Sequence, residues 1–159
     1  MAAATRRSIS GATIRCEGLQ GTFGCKVGAC VTLWGQGPTL VVVRSTTGHT
    51  FGGYAHAPWT SANSLSNTAG CFLFLVENPH NDAPTCFECK NAAYAMYCDA
   101  THGPAFGNGH DLCIHPNGDA CQSYTQLGTA YTDTLGRGQA TFTGAGNYTA
   151  EDYEVWAVT

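Results

Sequence analysis

The stretch His49-Thr-Phe-Gly-Gly-Tyr-Ala-His-Ala-Pro-Trp59 decides how the chain is read, together with the β-branched run before it. Val41 to Ser45 reads as a strand, Thr46-Thr-Gly48 as a turn and Thr50 to Ala55 as the return strand of a hairpin. Gly52 and Gly53 remove two side chains in succession, which suits a place where the backbone bends or another segment approaches closely. Phe51, Tyr54 and Trp59 bring three large apolar bodies to the same neighbourhood, and Pro58 ends the strand. From these residues alone the stretch is a glycine-kinked hairpin capping a core. A second glycine-rich stretch, Gly103-Pro-Ala-Phe-Gly-Asn-Gly-His-Asp-Leu112, is its distant echo.

Outward from the hairpin, strands dominate. Thr39-Leu-Val-Val-Val43 is a buried strand, and Cys71-Phe-Leu-Phe-Leu-Val76 is the most apolar run in the chain. Bounded by Gly70 and Asn78-Pro79, that run is too short for a helix and suits a central strand. Residues 60–68 and 77–90 read as polar loops, Ala92 to Cys98 as a weaker strand, and Gly109 to Ile114 as another, left through Pro116-Asn-Gly118. Ser123 and Tyr124 fall in a loop, Thr141-Phe142 reads as a brief strand, and Tyr153-Glu-Val-Trp-Ala-Val158 alternates as the last one. Upstream, an irregular segment runs to about Gly21. Thr22 then caps a short helix with Phe23, Val27, Cys30, Val31 and Trp34 on one face and Gly35 as its stop. No repeat, linker or second domain is visible.

Composition fits this reading. Apolar residues make up 43% of the 159 and charged ones only 11%. Disordered chains show the opposite balance, so the sequence codes for a packed core. Twenty glycines favour strands and turns over surface helices. A net charge of -4 leaves no electrostatic footprint for nucleic acid or an anionic membrane surface, and Arg6-Arg7 is too short a basic run to change that. No window reaches the roughly 20 apolar residues needed to span a bilayer, so no membrane insertion is expected. Residues 1–15 lack an apolar signal core, so a cytoplasmic location is expected. Arg6, Arg7 and Arg15 with no acid before Glu17 leave a mitochondrial or other organellar address as the lesser reading. Asn147-Tyr-Thr149 has the form of a glycosylation acceptor, which a non-secreted chain does not use.

The chemistry-bearing residues are thinly organised. Nine cysteines without a signal segment argue for a reducing compartment and against a disulfide framework. Cys86-Phe-Glu-Cys89 is the sole CxxC and the basis for any redox sensing. It lacks the second pair a zinc site needs, and Cys98, His80 and His102 fit no usual ligand arrangement, so no metal and no cofactor is expected. Cys71 and Cys113 lie within apolar strands as small core residues. His49, His56, His80, His102 and His115 are scattered over turns. His110 and Asp111, adjacent on a strand, would point to opposite faces and form no dyad. Asp111 is instead expected to accept backbone N–H bonds and fix a turn. No GxSxG, HExxH or GxxxxGK[ST] occurs. The expectation is a protein without catalytic residues.

The series Gly37-Pro-Thr-Leu-Val-Val-Val43, Phe51-Gly-Gly-Tyr54, Trp59, Cys71-Phe-Leu-Phe74, Gly103-Pro-x-Phe-Gly-x-Gly-x-Asp-Leu112, Ser123-Tyr124, Leu127-Gly128 and Tyr153-Glu-Val-Trp156 resembles the TLDc domain family in order, spacing and ending. The resemblance covers residues 13–159 as one domain and leaves residues 1–12 as a flexible N-terminal segment. It implies a mainly β, β-rich α+β fold: a two-layer antiparallel β-sandwich with a few short edge helices. It also implies links to protection against oxidative damage and to binding subunits of the vacuolar proton-pumping ATPase. The matched motif positions are Phe51, Gly52, Gly53, Tyr54, Trp59, Gly103, Pro104, Phe106, Gly107, Gly109, Asp111, Glu154 and Trp156. Most are expected to hold the fold, with His56 and His110 exposed beside them as partner contacts. The scarcity of charge gives the other reading of the partner, a multi-subunit assembly in which the chain is a structural subunit.

Overall fold

The computed structural model describes the backbone of residues 19–23 and the whole of residues 37–99, 102–115 and 122–158. Among the described residues, twelve strands form two antiparallel sheets. The first contains β1 (Leu19–Phe23), β2 (Thr39–Ser45), β3 (Thr50–Ala55), β5 (Phe72–Glu77), β6 (Thr85–Glu88) and β12 (Ala150–Val158) in the order β1-β12-β2-β3-β5-β6. The second contains β4 (Ser64–Ser66), β7 (Met96–Cys98), β8 (Ala105–Phe106), β9 (Leu112–Cys113), β10 (Ser123–Tyr124) and β11 (Asn147–Tyr148) in the order β11-β10-β9-β8-β7-β4. One apolar core joins them into a sandwich: Val41, Val43, Phe51, Leu73, Leu75, Phe87 and Val155 from the first sheet meet Met96, Cys98, Phe106, Leu112 and Tyr148 from the second.

The opening hairpin is where the sequence places it. Val41 pairs with Gly53 and Val43 with Phe51, and a turn at Thr46–His49 closes the pair. Alternation sends Val41, Val43, Phe51 and Ala55 into the core, and Leu40, Val42 and Tyr54 to the opposite face. There a second apolar cluster forms with Phe72, Phe74, Val76, Trp156 and Val158. β5, the most apolar run, is flanked on both sides, by β3 and β6.

Several local expectations are corrected. Leu19–Phe23 is a strand on the edge of β12, where an irregular segment and the first turn of a helix were expected; pairing with a neighbouring strand overrides the local pattern. The remainder of that helix, from residue 24 to 34, and the segment 1–12 lie outside the described residues. The loop read over 60–68 contains β4, which pairs with β7, and the loop read over 77–90 contains β6. Residues 92–98 divide into a single 3₁₀ turn at Ala92–Tyr94, capped by the Asn91 side chain, and then β7. The strand read over 109–114 shrinks to Leu112–Cys113, because Gly107, Gly109 and His110 all adopt left-handed backbone and belong to a turn. Ser123-Tyr124 is a strand and not a loop. Thr141-Phe142 is no strand: Thr141 closes a 3₁₀ turn over Gly138–Ala140. Phe142 is nevertheless wholly buried, its ring 5.0 Å from Phe51 and 5.8 Å from Phe87.

Candidate functional site

The two glycine-rich motifs meet across the core. A Cβ on Gly53 would lie 2.7 Å from the Phe106 ring, so the absent side chain of the first motif is the seat for the aromatic of the second. Trp59 packs edge-on against the same ring at 5.3 Å and donates its indole N–H to Thr39 Oγ1 at 2.9 Å. Gly52 faces the other way, where a Cβ would strike Val41 O at 1.9 Å and the Phe74 ring at 2.7 Å. Gly103, Pro104, Phe106 and Gly107 are all buried, whereas Gly109 is exposed. Glu154 and Trp156 project from β12 on the face away from the core and are part-exposed.

Asp111 anchors the second sheet. It is fully buried, and its carboxylate accepts backbone N–H bonds from Gly128 at 2.9 Å, Thr129 at 2.8 Å, Ala130 at 2.9 Å and Tyr131 at 3.2 Å. Burial pushes its carboxyl upward and these four donors pull it back, with burial the larger effect. Gly107 is the complement: its φ is +90°, and a Cβ there would sit 2.1 Å from Asp111 Oδ2. The N–H-accepting role read for Asp111 is therefore present, but the turn it fixes spans residues 128–131 and not its own glycine-rich entry. Tyr131, held by this turn, donates its hydroxyl to Ala95 O at 2.6 Å.

Of the two residues expected beside the motifs, His56 is exposed and His110 half-buried. His56 lies 3.2 Å from the Tyr54 hydroxyl at the rim of the outer apolar cluster. His110 sits in the turn between β8 and β9, at a left-handed φ of 63°, with its Nδ1 hydrogen-bonded to the Tyr124 hydroxyl. Around it gather residues that sequence spacing could not connect. His102 lies 5.6 Å from His110 and 5.0 Å from His115, ring to ring. Tyr97 lies 5.2 Å from His110, and Tyr124 6.2 Å from His115. Asp99 is 3.3 Å from His102 Nδ1 and 3.3 Å from the Tyr97 hydroxyl, which also donates to Asn63 Oδ1 at 2.5 Å. Burial lowers the His110 pKa, and the neighbouring imidazoles His102 and His115 lower it further against an opposing pull from Asp99. Burial also raises the Tyr124 hydroxyl. Among the described residues, no group of three or more His, Cys, Asp or Glu is arranged to hold a metal ion.

The CxxC does not form a facing pair. Cys86 is exposed on β6, opposite Phe74, whose side chain belongs to the outer cluster. Cys89, just past the strand, packs against the inner core. Cys71, Cys98 and Cys113 are buried.

The geometry defines an antiparallel β-sandwich whose two glycine motifs interlock and whose buried aspartate ties down the second layer. A family model for the TLDc domain matches residues 29–159, and the chain belongs to the TLDc domain family. No curated protein is similar enough to the chain to count as a match. No helix among the described residues is long and apolar enough to cross a membrane.

Proposed function

We propose that the chain is a non-catalytic protein-binding module that acts in protection against oxidative stress or in regulation of the vacuolar proton-pumping ATPase. Family membership supplies the general setting. The observation that carries the rest is how the motif residues are used. Phe51, Gly52, Gly53, Trp59, Phe106 and Gly107 pack the interior, and Asp111 has both carboxylate oxygens engaged by backbone donors. A fully buried carboxylate whose two oxygens both accept backbone N–H bonds acts as a structural anchor. What the surface offers instead is the histidine–tyrosine group around His110 and, separately, His56. We assign these as the contacts to a protein partner.

The test is capture of purified proton-pump subunits by the tagged full chain at two salt concentrations. Rim charges weaken with salt while apolar and hydrogen-bonded contacts persist. Retention of pump subunits at both, with loss in His110→Asn but an unchanged melting temperature at neutral pH, supports the reading. Asn is chosen because it tolerates the left-handed backbone at this position. Failure of the folded full chain to retain any pump subunit overturns the pump reading. Stable incorporation into an unrelated complex would make the chain a structural subunit instead.

A further inference from the structure

We propose that Cys71 and Cys89, and not the two cysteines of the CxxC, form an oxidant-modified pair that closes to a disulfide across β5 and β6. The register places them. β5 and β6 run antiparallel with Phe72 opposite Glu88 and Leu73 opposite Phe87. One further step of the same ladder sets Cys71 opposite Cys89, and Cys89 N donates to Cys71 O at 3.3 Å. Both side chains face the inner core. Residues directly opposite in an antiparallel pair have Cα atoms about 4.5–5.5 Å apart, inside the window of about 4.4–6.8 Å that a disulfide accepts. The pair lies just outside the two strands, Cys71 before the first residue of β5 and Cys89 after the last residue of β6. Among the described residues no other two cysteines stand opposite one another in a ladder.

The surroundings divide the roles. Cys71 is 3% exposed, and its sulfur accepts the His56 N–H at 3.4 Å. Cys89 is half-buried and is the sulfur a solvent-borne oxidant meets first. With a hydroperoxide, the Cys89 thiolate attacks one peroxide oxygen and the O–O bond breaks. Cys89 becomes a sulfenic acid, and the leaving oxyanion takes a proton from water. The Cys71 thiolate then attacks the Cys89 sulfur, the S–S bond forms, the S–O bond breaks and hydroxide leaves as water. Two thiols are oxidised, and one hydroperoxide is reduced. Burial raises both thiols above their ordinary range, so the thiolate is scarce at neutral pH and the pair responds to sustained oxidant. Closure staples the edge strand β6, which Cys89 in turn bridges to Tyr131.

Hydrogen peroxide on the full chain, followed by alkylation and cleavage after glutamate, tests this directly. Cuts after Glu77 and Glu88 place Cys71, Cys86 and Cys89 on three separate peptides, and fragmentation of the linked product tells Cys71 from Cys25 and Cys30, and Cys89 from Cys98, Cys113 and Cys121. The expected product is a Cys71-to-Cys89 linked peptide that dithiothreitol releases. It persists in Cys86→Ser and forms about tenfold faster per pH unit on the alkaline side of neutrality, as thiolate control requires. A Cys86-to-Cys89 link overturns the assignment. So does oxidation of Cys86 and Cys89 with Cys71 recovered as free thiol. Because the linkage is mapped in the unmutated chain, the result does not depend on a buried variant folding.

Discussion

The two sheets of this sandwich are built by different means. In the first, β2, β3, β5 and β12 are six to nine residues long, and their ladders alone satisfy most backbone groups. In the second, no strand exceeds three residues. Side chains take over the work of the missing rungs: Asp111 gathers the N–H groups of 128–131, Thr125 donates to Asp111 O at 2.6 Å, Tyr148 donates to Cys113 O at 3.1 Å, and Tyr131 reaches Ala95 O. Buried backbone must be paired by something, and where strands are short the partner is a buried polar side chain. The lesson is that the first sheet is sensitive to shape and the second to the loss of single acceptors.

The largest effect is therefore expected at Asp111. Asp111→Ala leaves the buried N–H groups of Ala130 and Tyr131 without an acceptor, at a cost of about 4 kcal/mol for two unsatisfied donors. Hydrogen exchange should show the loss first in the second sheet, with amides of 128–131 and Leu112–Cys113 exchanging fast while β2 and β3 stay protected. If the two sheets lost protection in parallel, the distinction drawn here would fail. Gly52→Ala probes the other sheet. Its Cβ meets the Val41 carbonyl oxygen at 1.9 Å, which no rotamer change relieves, so β2 and β3 must separate. Overpacking of this kind costs about 3 kcal/mol, and here protection should fall in both sheets at once, because β2 and β3 carry Val41, Val43 and Phe51 of the shared core. A variant that melts within a degree of the parent would show that the hairpin yields more easily than its ladder suggests.

The same contrast explains what could be read from the sequence. The first sheet announces itself because β-branched alternation over Thr39–Ser45, the glycine pair at 52 and 53 and the apolar run before Glu77 each span enough residues to carry a period. β6 escaped because only Phe87 of Thr85-Cys-Phe-Glu88 is buried, so its sequence resembles a loop. The second sheet was mostly illegible, since Ala105-Phe106 or Ser123-Tyr124 has no period to detect. Phe142 misled for the opposite reason: a large apolar residue beside a threonine suggests a strand, yet it fills the core from a turn. Asp111 was legible as a backbone acceptor because the glycine-rich entry just before it, with Gly107 and Gly109, reads as a turn that a short carboxylate can tie down. The group around His110 was not, since its members come from positions 97 to 124 and meet only through the folding of four short strands. The CxxC drew attention to Cys86 and Cys89, although their spacing sends them to opposite sides of β6. The pairing of Cys71 with Cys89 depends on a strand register that no local pattern displays.

The smallest expected effect lies in the histidine group, and its sign follows from burial. His110 has a folded pKa below its unfolded value of about 6.5. The folded state then binds fewer protons than the unfolded chain in the interval between the two values, and stability falls as pH falls through it. The contribution of the neutral ring is complete above about pH 6.5 and is lost towards the folded pKa. Asp99, His102, His115, Tyr97 and Tyr124 all lie around the ring, so only a difference between proteins isolates His110. Melting temperatures of the parent and of His110→Asn, measured from pH 8 to pH 5, should coincide above pH 7. Below pH 6.5 the parent should lose more, because the variant has no imidazole to protonate at this position. Parallel curves across the range would mean that protonation at position 110 is accommodated without strain. The second sheet would then tolerate charge in a place where it does not tolerate the loss of a carboxylate.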